Sequence, residues 1–438
     1  MRLTERGRRL GIAASAASLL GALYSDPVML SVASGIAAAL VLDAFAVMRR
    51  EGEQSRVEVE PEDVRLRLRA GDSREVTVLL RGSPDAEPED LEGWVSLKSV
   101  DRTPEGLELT LLVRPMLSGE HTLEGLRVKV RGWLGAVEGS AELRFRLTAR
   151  AYPRVLPWIV EAVRLLEASG AAAAEESRKL VRGMEQEYYE TREYAPGDSL
   201  RRIDWKATAR HHKLMIKEFR DVQGSPHVIY DLRAPGPITG DEVAAMFLST
   251  LVGISRVVGE VGLTVKSGSD ILFASEGLSP EDALKVALAY VLKVVSVSDW
   301  DVYELVEPRS AREILSVLKE VRAKGFIDAL RRRARSAGAE GILELVRRGP
   351  ENLELTYVGN VVYDASLLVE VADAARLRGH RLRIFTPAKP WVDLRDLEEA
   401  YVMYQSHKKI LASLARLGAE INLRTNPYPS ERIYRAGT

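Results

Sequence analysis

The chain contains no cysteine. That excludes a disulfide framework, a thiolate zinc site, an iron–sulfur cluster and a thiol nucleophile. It leaves the redox compartment open. Side-chain amides are scarce, with four Asn and four Gln in 438 residues. Charge of one sign is also missing, because 62 basic residues meet 63 acidic ones for a net charge of −1. A whole-chain polycation built for nucleic acid is thereby excluded. Lysine is sparse beside arginine, 14 against 48. Few thermolabile amides among 29% charged residues point to a hot-adapted source, although GC-rich coding also favours Arg. Neither GxGxxG nor GxxxxGK[ST] occurs, so the sequence offers no phosphate cradle for a nucleotide. What is present is 46% hydrophobic content, which excludes global disorder. The length suits two or three domains.

Residues 10–48 stand apart. Leu10 to Tyr24 carries no charge, Ser25-Asp26-Pro27 reads as a turn, and Val28 to Met48 is apolar except for Asp43. Fifteen helical residues reach about 22 Å, short of the roughly 30 Å hydrocarbon core of a bilayer. A second apolar run directly after the first argues for a helical hairpin over a cleaved signal peptide. Both runs are rich in Ala, Ser and Gly, which let membrane helices approach closely. Arg2, Arg6, Arg8 and Arg9 precede the pair, and Arg49 and Arg50 follow it. The positive-inside rule then puts both termini in the cytoplasm, with membrane lipid contacted through residues 10–48. The alternative is a buried hairpin of a soluble protein. Asp43 either snorkels near the inner face or marks a helix contact.

From 51 to 150 the period becomes two. Val76, Val78 and Leu80 alternate with other residues, as do Leu107, Leu109, Leu111 and Val113, then Leu143, Phe145 and Leu147. Seven or so short strands divided by Gly and Pro turns predict a small antiparallel sandwich. The Arg-rich strands (Arg65, Arg67, Arg69; Arg127, Arg131) read as solvated faces or as a docking face for anionic lipid or a partner.

Residues 151–224 hold a helix over 156–181 followed by a loop dense in charge. Pro196-Gly197 is a turn there, and Asp198 is placed to cap a short helix over 199–204. The stretch is either an ionic network holding an irregular loop or a surface on which Arg201, Arg202 and Arg210 grip a carboxylate or phosphate. The string REYAPGDSLRRIDWKATAR at 192–210, followed by KLMIKEF at 213–219, resembles the signature of domain-of-unknown-function family 58. Gly183, Glu187 and Tyr188 fit the same pattern, and Trp133-Leu134-Gly135 followed by Tyr152-Pro153 is similar to the family's strand-domain ending. The resemblance implies a multi-domain layout. It comprises a transmembrane helical hairpin (1–50), a β-sandwich-like domain (51–150), a helix plus signature loop (151–224) and an α/β von Willebrand factor A-like domain (225–438). It also implies work beside a MoxR-type AAA+ ATPase in the assembly or activation of client proteins. The signature residues that would meet a partner are Glu193, Tyr194, Pro196, Gly197, Asp198, Arg201, Arg202, Asp204, Trp205 and Arg210.

From 225 onward, apolar strands alternate with helices, which predicts a mostly parallel sheet covered on both faces. Domains of the A-like kind often hold a divalent metal with Asp-x-Ser-x-Ser after the first strand. Here the chain reads Asp231-Leu232-Arg233-Ala234-Pro235. Mg²⁺ wants hard oxygen ligands, and Arg233 and Pro235 replace both hydroxyls. The remaining candidates are Asp231, Asp364 at the end of an expected strand over 353–363, and Ser366. The expectation is a degenerate site, with Arg233 bridging to Asp231 or Asp364 in the cation's place and no cofactor. The function expected is a membrane-anchored interaction scaffold, not an enzyme, with no nucleic acid partner. The alternative is a metal-dependent hydrolase using Asp231, Asp364, Asp198 and Asp204 in one cleft.

Overall fold

The computed structural model describes residues 1–54, 57–81, 87–89, 91–176, 187–193, 215–220, 226–323, 325–328, 341–349 and 353–423. The chain forms two units, Met1–Pro153 and Arg154–Thr438.

The first unit opens with strand β1 (Arg2–Leu3), helix α1 (Glu5–Tyr24) and helix α2 (Pro27–Gln54). Thr4 caps α1 by accepting from the Gly7 amide at 3.1 Å. Ser25 ends α1 in the left-handed region, and Asp26 accepts from the Val28 amide as α2 begins at Pro27. α2 is long and apolar enough to cross a membrane, with only 11% of its most apolar window buried. The sequence predicts two such spans; among the N-terminal helices α2 alone meets that standard. The first turns of α1 carry Glu5, Arg6, Arg8 and Arg9, which shorten its apolar part.

The strands that follow are β2 (Glu58–Glu60), β3 (Asp63–Arg69), β4 (Arg74–Arg81), β5 (Glu87–Pro88), β6 (Val95–Thr103), β7 (Gly106–Val113), β8 (Gly119–Arg131) and β9 (Val137–Tyr152). They make a four-stranded sheet in the order β2-β4-β7-β6 and a five-stranded one in the order β1-β9-β8-β5 with β3 on β9. The alternating residues do what their period predicts. Val78 and Leu80 pair in register with Leu109 and Leu107, and one core joins them to Leu126, Val128, Leu143 and Leu147 of the other sheet. One departure is that β3 runs parallel to β9, so the module is not purely antiparallel.

The base of the helical hairpin is fastened to the β8–β9 turn. Asp43, 1% exposed, accepts the backbone N–H of Leu134 at 2.7 Å and those of Ala136 and Val137 at 2.9 Å. Thr4 Oγ1 donates to the Gly135 carbonyl at 2.8 Å, and Arg50 donates to that of Arg131 at 2.7 Å. Two glycines permit this approach. A Cβ at Gly132 would strike the Asp43 carboxylate, and one at Gly7 would strike the Ala136 carbonyl. Asp43 is thus neither a lipid-facing charge nor a helix–helix contact. It is the acceptor that closes a turn.

The second unit starts with α3 (Leu156–Glu176), then an antiparallel pair, β10 (Glu187–Glu193) and β11 (Met215–Arg220). Next come β12 (His227–Asp231), α4 (Pro237–Ser255), β13 (Val261–Ser267), β14 (Asp270–Leu278), α5 (Pro280–Val294), α6 (Asp299–Leu305) and α7 (Pro308–Arg322). The chain ends its described course with α8 (Ile342–Arg348), β15 (Glu354–Val358), α9 (Ala365–Arg378), β16 (Arg381–Phe385), α10 (Leu397–Arg416) and β17 (Glu420–Asn422). The sheet order is β14-β13-β12-β15-β16-β17, parallel except for β14. Both faces are covered, as all-buried strands require. Ile229 joins a core with Val346, Leu368, Val371 and Leu414 from α8 to α10. On the other face Tyr230 stacks on Phe247 of α4 at 4.0 Å. α4 also passes the length and composition test for a membrane span, but 72% of its window is buried, which makes it a core helix.

Candidate functional site

β12 is where the winding of the sheet reverses. Its chain continues to β13 on one side and β15 lies on the other. The carboxyl ends of strands at such a point are where doubly wound sheets place ligands. Here those ends hold a compact set of charges. Asp231 closes β12 with no exposure at all. The Arg233 guanidinium turns back onto it, with Nη2 at 2.6 Å and Nε at 3.1 Å from Oδ2. The same Nη2 donates to Asp364 Oδ1. Lys266, near the end of β13 and 3% exposed, donates to Asp364 Oδ2 at 2.6 Å. Tyr357 Oη of β15 donates to that same oxygen at 3.1 Å. Two carboxylates therefore face two cations, and the cluster balances itself.

Its electrostatics follow from burial and pairing. Burial pushes the Asp231 carboxyl up against the hydrogen bonds from Arg233. Asp364 is also buried, but its bonds and attraction to Lys266 outweigh that, and its pKa lies below the ordinary carboxylate value. The hydrogen bonds it donates to Asp231 hold the Arg233 guanidinium even more firmly protonated. Tyr357 is pushed well above the usual phenol range by burial and by the two carboxylates.

The helix N-terminus beside the cluster is also occupied from within. α4 begins at Gly236, which has no side chain to cap it. Asp393 supplies the cap, accepting the amides of Ile238 at 3.0 Å and Thr239 at 2.8 Å. A helix N-terminus is a ready anion site; here a carboxylate of the same chain occupies it.

Sequence reasoning placed Asp231 and Arg233 correctly. Asp364 needs correcting. The apolar run 353–363 is not one strand, because β15 stops at Val358 and a turn from Asn360 to Tyr363 follows. Asp364 begins α9 instead of ending a strand. Ser366 is exposed in the first turn of α9, and none of the cluster's hydrogen bonds among the described residues reaches it. Lys266, Tyr357 and Asp393 were missed. Lys266 did leave a signal, a lone cation inside the apolar strand VGLTVKS, where burial demands a partner. Among the described residues, no group of three or more His, Asp or Glu side chains is placed to hold a metal ion. The donors of a divalent-cation site are thus spent on Arg233 and Lys266, and the residues present do not fit Mg²⁺.

The signature falls differently. Glu193 ends β10, and Met215 begins β11, so a hairpin flanks the stretch. Tyr194, Pro196, Gly197, Asp198, Arg201, Arg202, Asp204, Trp205 and Arg210 lie outside the described residues, as does the short helix expected over 199–204.

No curated protein matches the chain. One solved structure, Bacteroides ovatus GH5 xyloglucanase in complex with a XXXG heptasaccharide, aligns at 11% identity with a TM-score of 0.15. The alignment covers 83% of this chain, which spans about 63% of the length of that one, and likeness at this score carries no argument. The family profile described as "Protein of unknown function DUF58" matches residues 190–227, the stretch that holds the signature, the end of β10 and all of β11, and this match supports the DUF58 family for the chain.

Proposed function

We propose that the protein is a membrane-anchored interaction scaffold that makes and breaks no bonds itself. In this reading it works with a MoxR-type AAA+ ATPase in the assembly or activation of other proteins. The observation that carries the reading is the exposed apolar hairpin fastened at its base to a folded β unit through Asp43. Such a device anchors a folded head to lipid. The Arg-rich flanks of the hairpin favour a cytoplasmic side for both termini. The strand-end cluster adds support, because a site occupied by its own Arg233, Lys266 and Asp393 has little left to offer a substrate. A von Willebrand factor A-like identity for the α/β unit rests on the resemblance of the sequence and on a mostly parallel sheet covered on both faces. The hydrolase alternative is weaker. It needs free carboxylates, and Asp231 and Asp364 are both ion-paired.

The test uses the full chain in lipid nanodiscs together with a MoxR-type ATPase. The expected result is a complex that changes the ATPase rate, and that is lost when Arg201→Glu and Asp204→Arg are introduced together. Absence of binding in every nucleotide state overturns the partner. Release of the chain from membranes by an alkaline wash overturns the anchor.

A further inference from the structure

The turn that Asp43 closes carries an unexplained side chain. Residues 132–136 join β8 to β9, and Gly132, Ala136 and the adjoining Val137 are buried. Between them Trp133 is 76% exposed and Leu134 46%. A tryptophan left in water forfeits a large apolar area. This one cannot easily turn inward, because the Leu134 amide on its peptide is held by Asp43. The backbone is pinned so that the indole projects.

What surrounds it indicates what covers it. The pin itself is a residue of α2, and Leu42 and Phe45 on either side of Asp43 are each 64% exposed. Exposed apolar side chains of the hairpin thus flank the residue that holds the turn. Exposed arginines ring the same level. Arg6 donates to the Leu134 carbonyl at 3.5 Å, Arg50 is bonded to the next residue but one before Trp133, and Arg8, Arg9 and Arg49 lie on the adjoining helix turns. An amphipathic indole beside aliphatic side chains, bordered by guanidinium groups, is the composition found at the headgroup layer of a membrane.

Helix lengths agree. From Tyr24 back to Leu10 and from Val28 on to Leu42 there are fifteen residues in each leg, about 22 Å of helix. The first leg leaves the apolar zone near the turn, and the second carries apolar residues past Asp43 as far as Met48. At about 22 Å the first leg falls short of a roughly 30 Å hydrocarbon core, and apolar side chains projecting from the turn lengthen the lipid-facing surface at that end.

We infer that Trp133 and Leu134 form a second, peripheral contact with the bilayer, seated in the anionic headgroup layer beside the hairpin and holding the β unit against the membrane. This rests on the membrane reading above, and the test separates the two. Because the chain has no cysteine, single labels can be placed without altering other positions. The full chain carrying Leu134→Cys, Leu20→Cys or Leu117→Cys is labelled with an environment-sensitive fluorophore. Each is reconstituted into vesicles of phosphatidylcholine and phosphatidylglycerol. All three sites are exposed, and Leu117 lies at the far end of the thirteen-residue strand β8, about 40 Å along it from the turn.

The expected result is that the label at 134 loses most of its emission to nitroxide lipids marked near the glycerol backbone and is shielded from aqueous iodide. The label at 20 should be quenched by nitroxides deep in the acyl chains, and the label at 117 by iodide alone. If the label at 134 behaves like that at 117 while the label at 20 is lipid-quenched, the hairpin is in the bilayer and the inference is overturned. If the label at 20 is not lipid-quenched, the membrane reading itself falls. Trp133→Cys, on the most exposed side chain of the turn, repeats the measurement should Leu134→Cys disturb the fold, and the same pair of outcomes decides it.

Discussion

Asp43 in the first unit and Asp231 in the second are both buried carboxylates, and the chain neutralises them in opposite ways. Asp43 takes three backbone N–H groups from a turn about ninety residues away and, among the described residues, no cation. Asp231, with Asp364, takes the side-chain cations of Arg233 and Lys266. Backbone donors fix direction and distance together, so the first arrangement works as a latch with one geometry. Side-chain cations sit on rotatable stems, and a charge they supply is one that another cation can also supply. The first unit thus uses its carboxylate to hold two elements in place. The second uses its pair at the strand ends where a sheet of this kind otherwise meets a ligand.

The comparison breaks if Asp43 proves dispensable. Asp43→Ala leaves the amides of Leu134, Ala136 and Val137 buried without an acceptor, each a desolvation cost. The expected loss is about 3–5 kcal/mol in the stability of the first unit, with Asp43→Asn intermediate because an amide presents one acceptor atom. Amide exchange across residues 132–137 should accelerate first. Unchanged exchange there would mean the turn holds its shape unaided.

Arg233→Ala is the matching cut in the second unit. It leaves two carboxylates with Lys266 alone, and breaking a buried pair costs several kcal/mol. The Arg233 side chain is 29% exposed, so solvent screens part of this and about 2–3 kcal/mol is expected. Because the missing element is a charge and not a geometry, added Mg²⁺ should restore part of the melting temperature in the variant and leave the parent chain unmoved. Equal insensitivity in both would show that Arg233 acts by packing.

Burial without a paired counter-charge can instead shift where a group titrates, and two residues of the second unit show this with opposite consequences. Burial pushes His227 down to about 4 from its ordinary 6.5. Between those values the unfolded chain binds the extra proton, so stability rises with pH. Burial pushes Asp241 up to about 6 from 3.8, against the amides of Arg154 and Val155 that it accepts. Between those values the folded chain binds the extra proton, so stability falls with pH. The two slopes overlap, and each is worth about 3 kcal/mol at 1.36 kcal/mol per unit. His227→Gln should therefore expose a decline from pH 4 to 6, and Asp241→Asn a rise from pH 4 to 6.5. Amide exchange of the β12 segment as a function of pH, compared with the parent chain, reads both. Two flat difference curves would refute the assignment.

The elements most legible in the sequence are those whose signal is local. The period of two from Val76 to Leu80 and from Leu107 to Val113 predicts the sandwich core, and the alternation of strands and helices after 225 predicts the covered parallel sheet. Asp364 was misplaced because VVYD is apolar enough to read as strand. The Gly359-Asn360 pair before it is turn chemistry, and it ends β15 at Val358. β10 was missed because EYYETRE carries four charges in seven residues, a composition that resembles a solvated loop. The role of Asp43 was invisible for a different reason. Its partners are backbone amides, which every residue but proline possesses, so no residue type near 134 announces them. Among the missed residues of the strand ends, Lys266 alone had a local mark, a cation inside an apolar strand, and its partner could be named only once the sheet order was known.

The smallest effect expected lies on the surface of the first unit and sharpens the comparison from below. Arg9 and Glu5 of α1 pair at 2.5 Å, closer than Lys266 and Asp364, yet their side chains are 77% and 81% exposed. Water screens such a pair, and ordering two long side chains costs most of what attraction returns, so at most about 0.5 kcal/mol is expected. Glu5→Gln should leave the melting temperature of the full chain nearly unchanged at any salt concentration. If it instead lowers stability as much as Arg233→Ala does, distance and not burial governs these pairs. The distinction drawn here between a buried latch, a buried ion pair and a solvated one would then lose its physical basis.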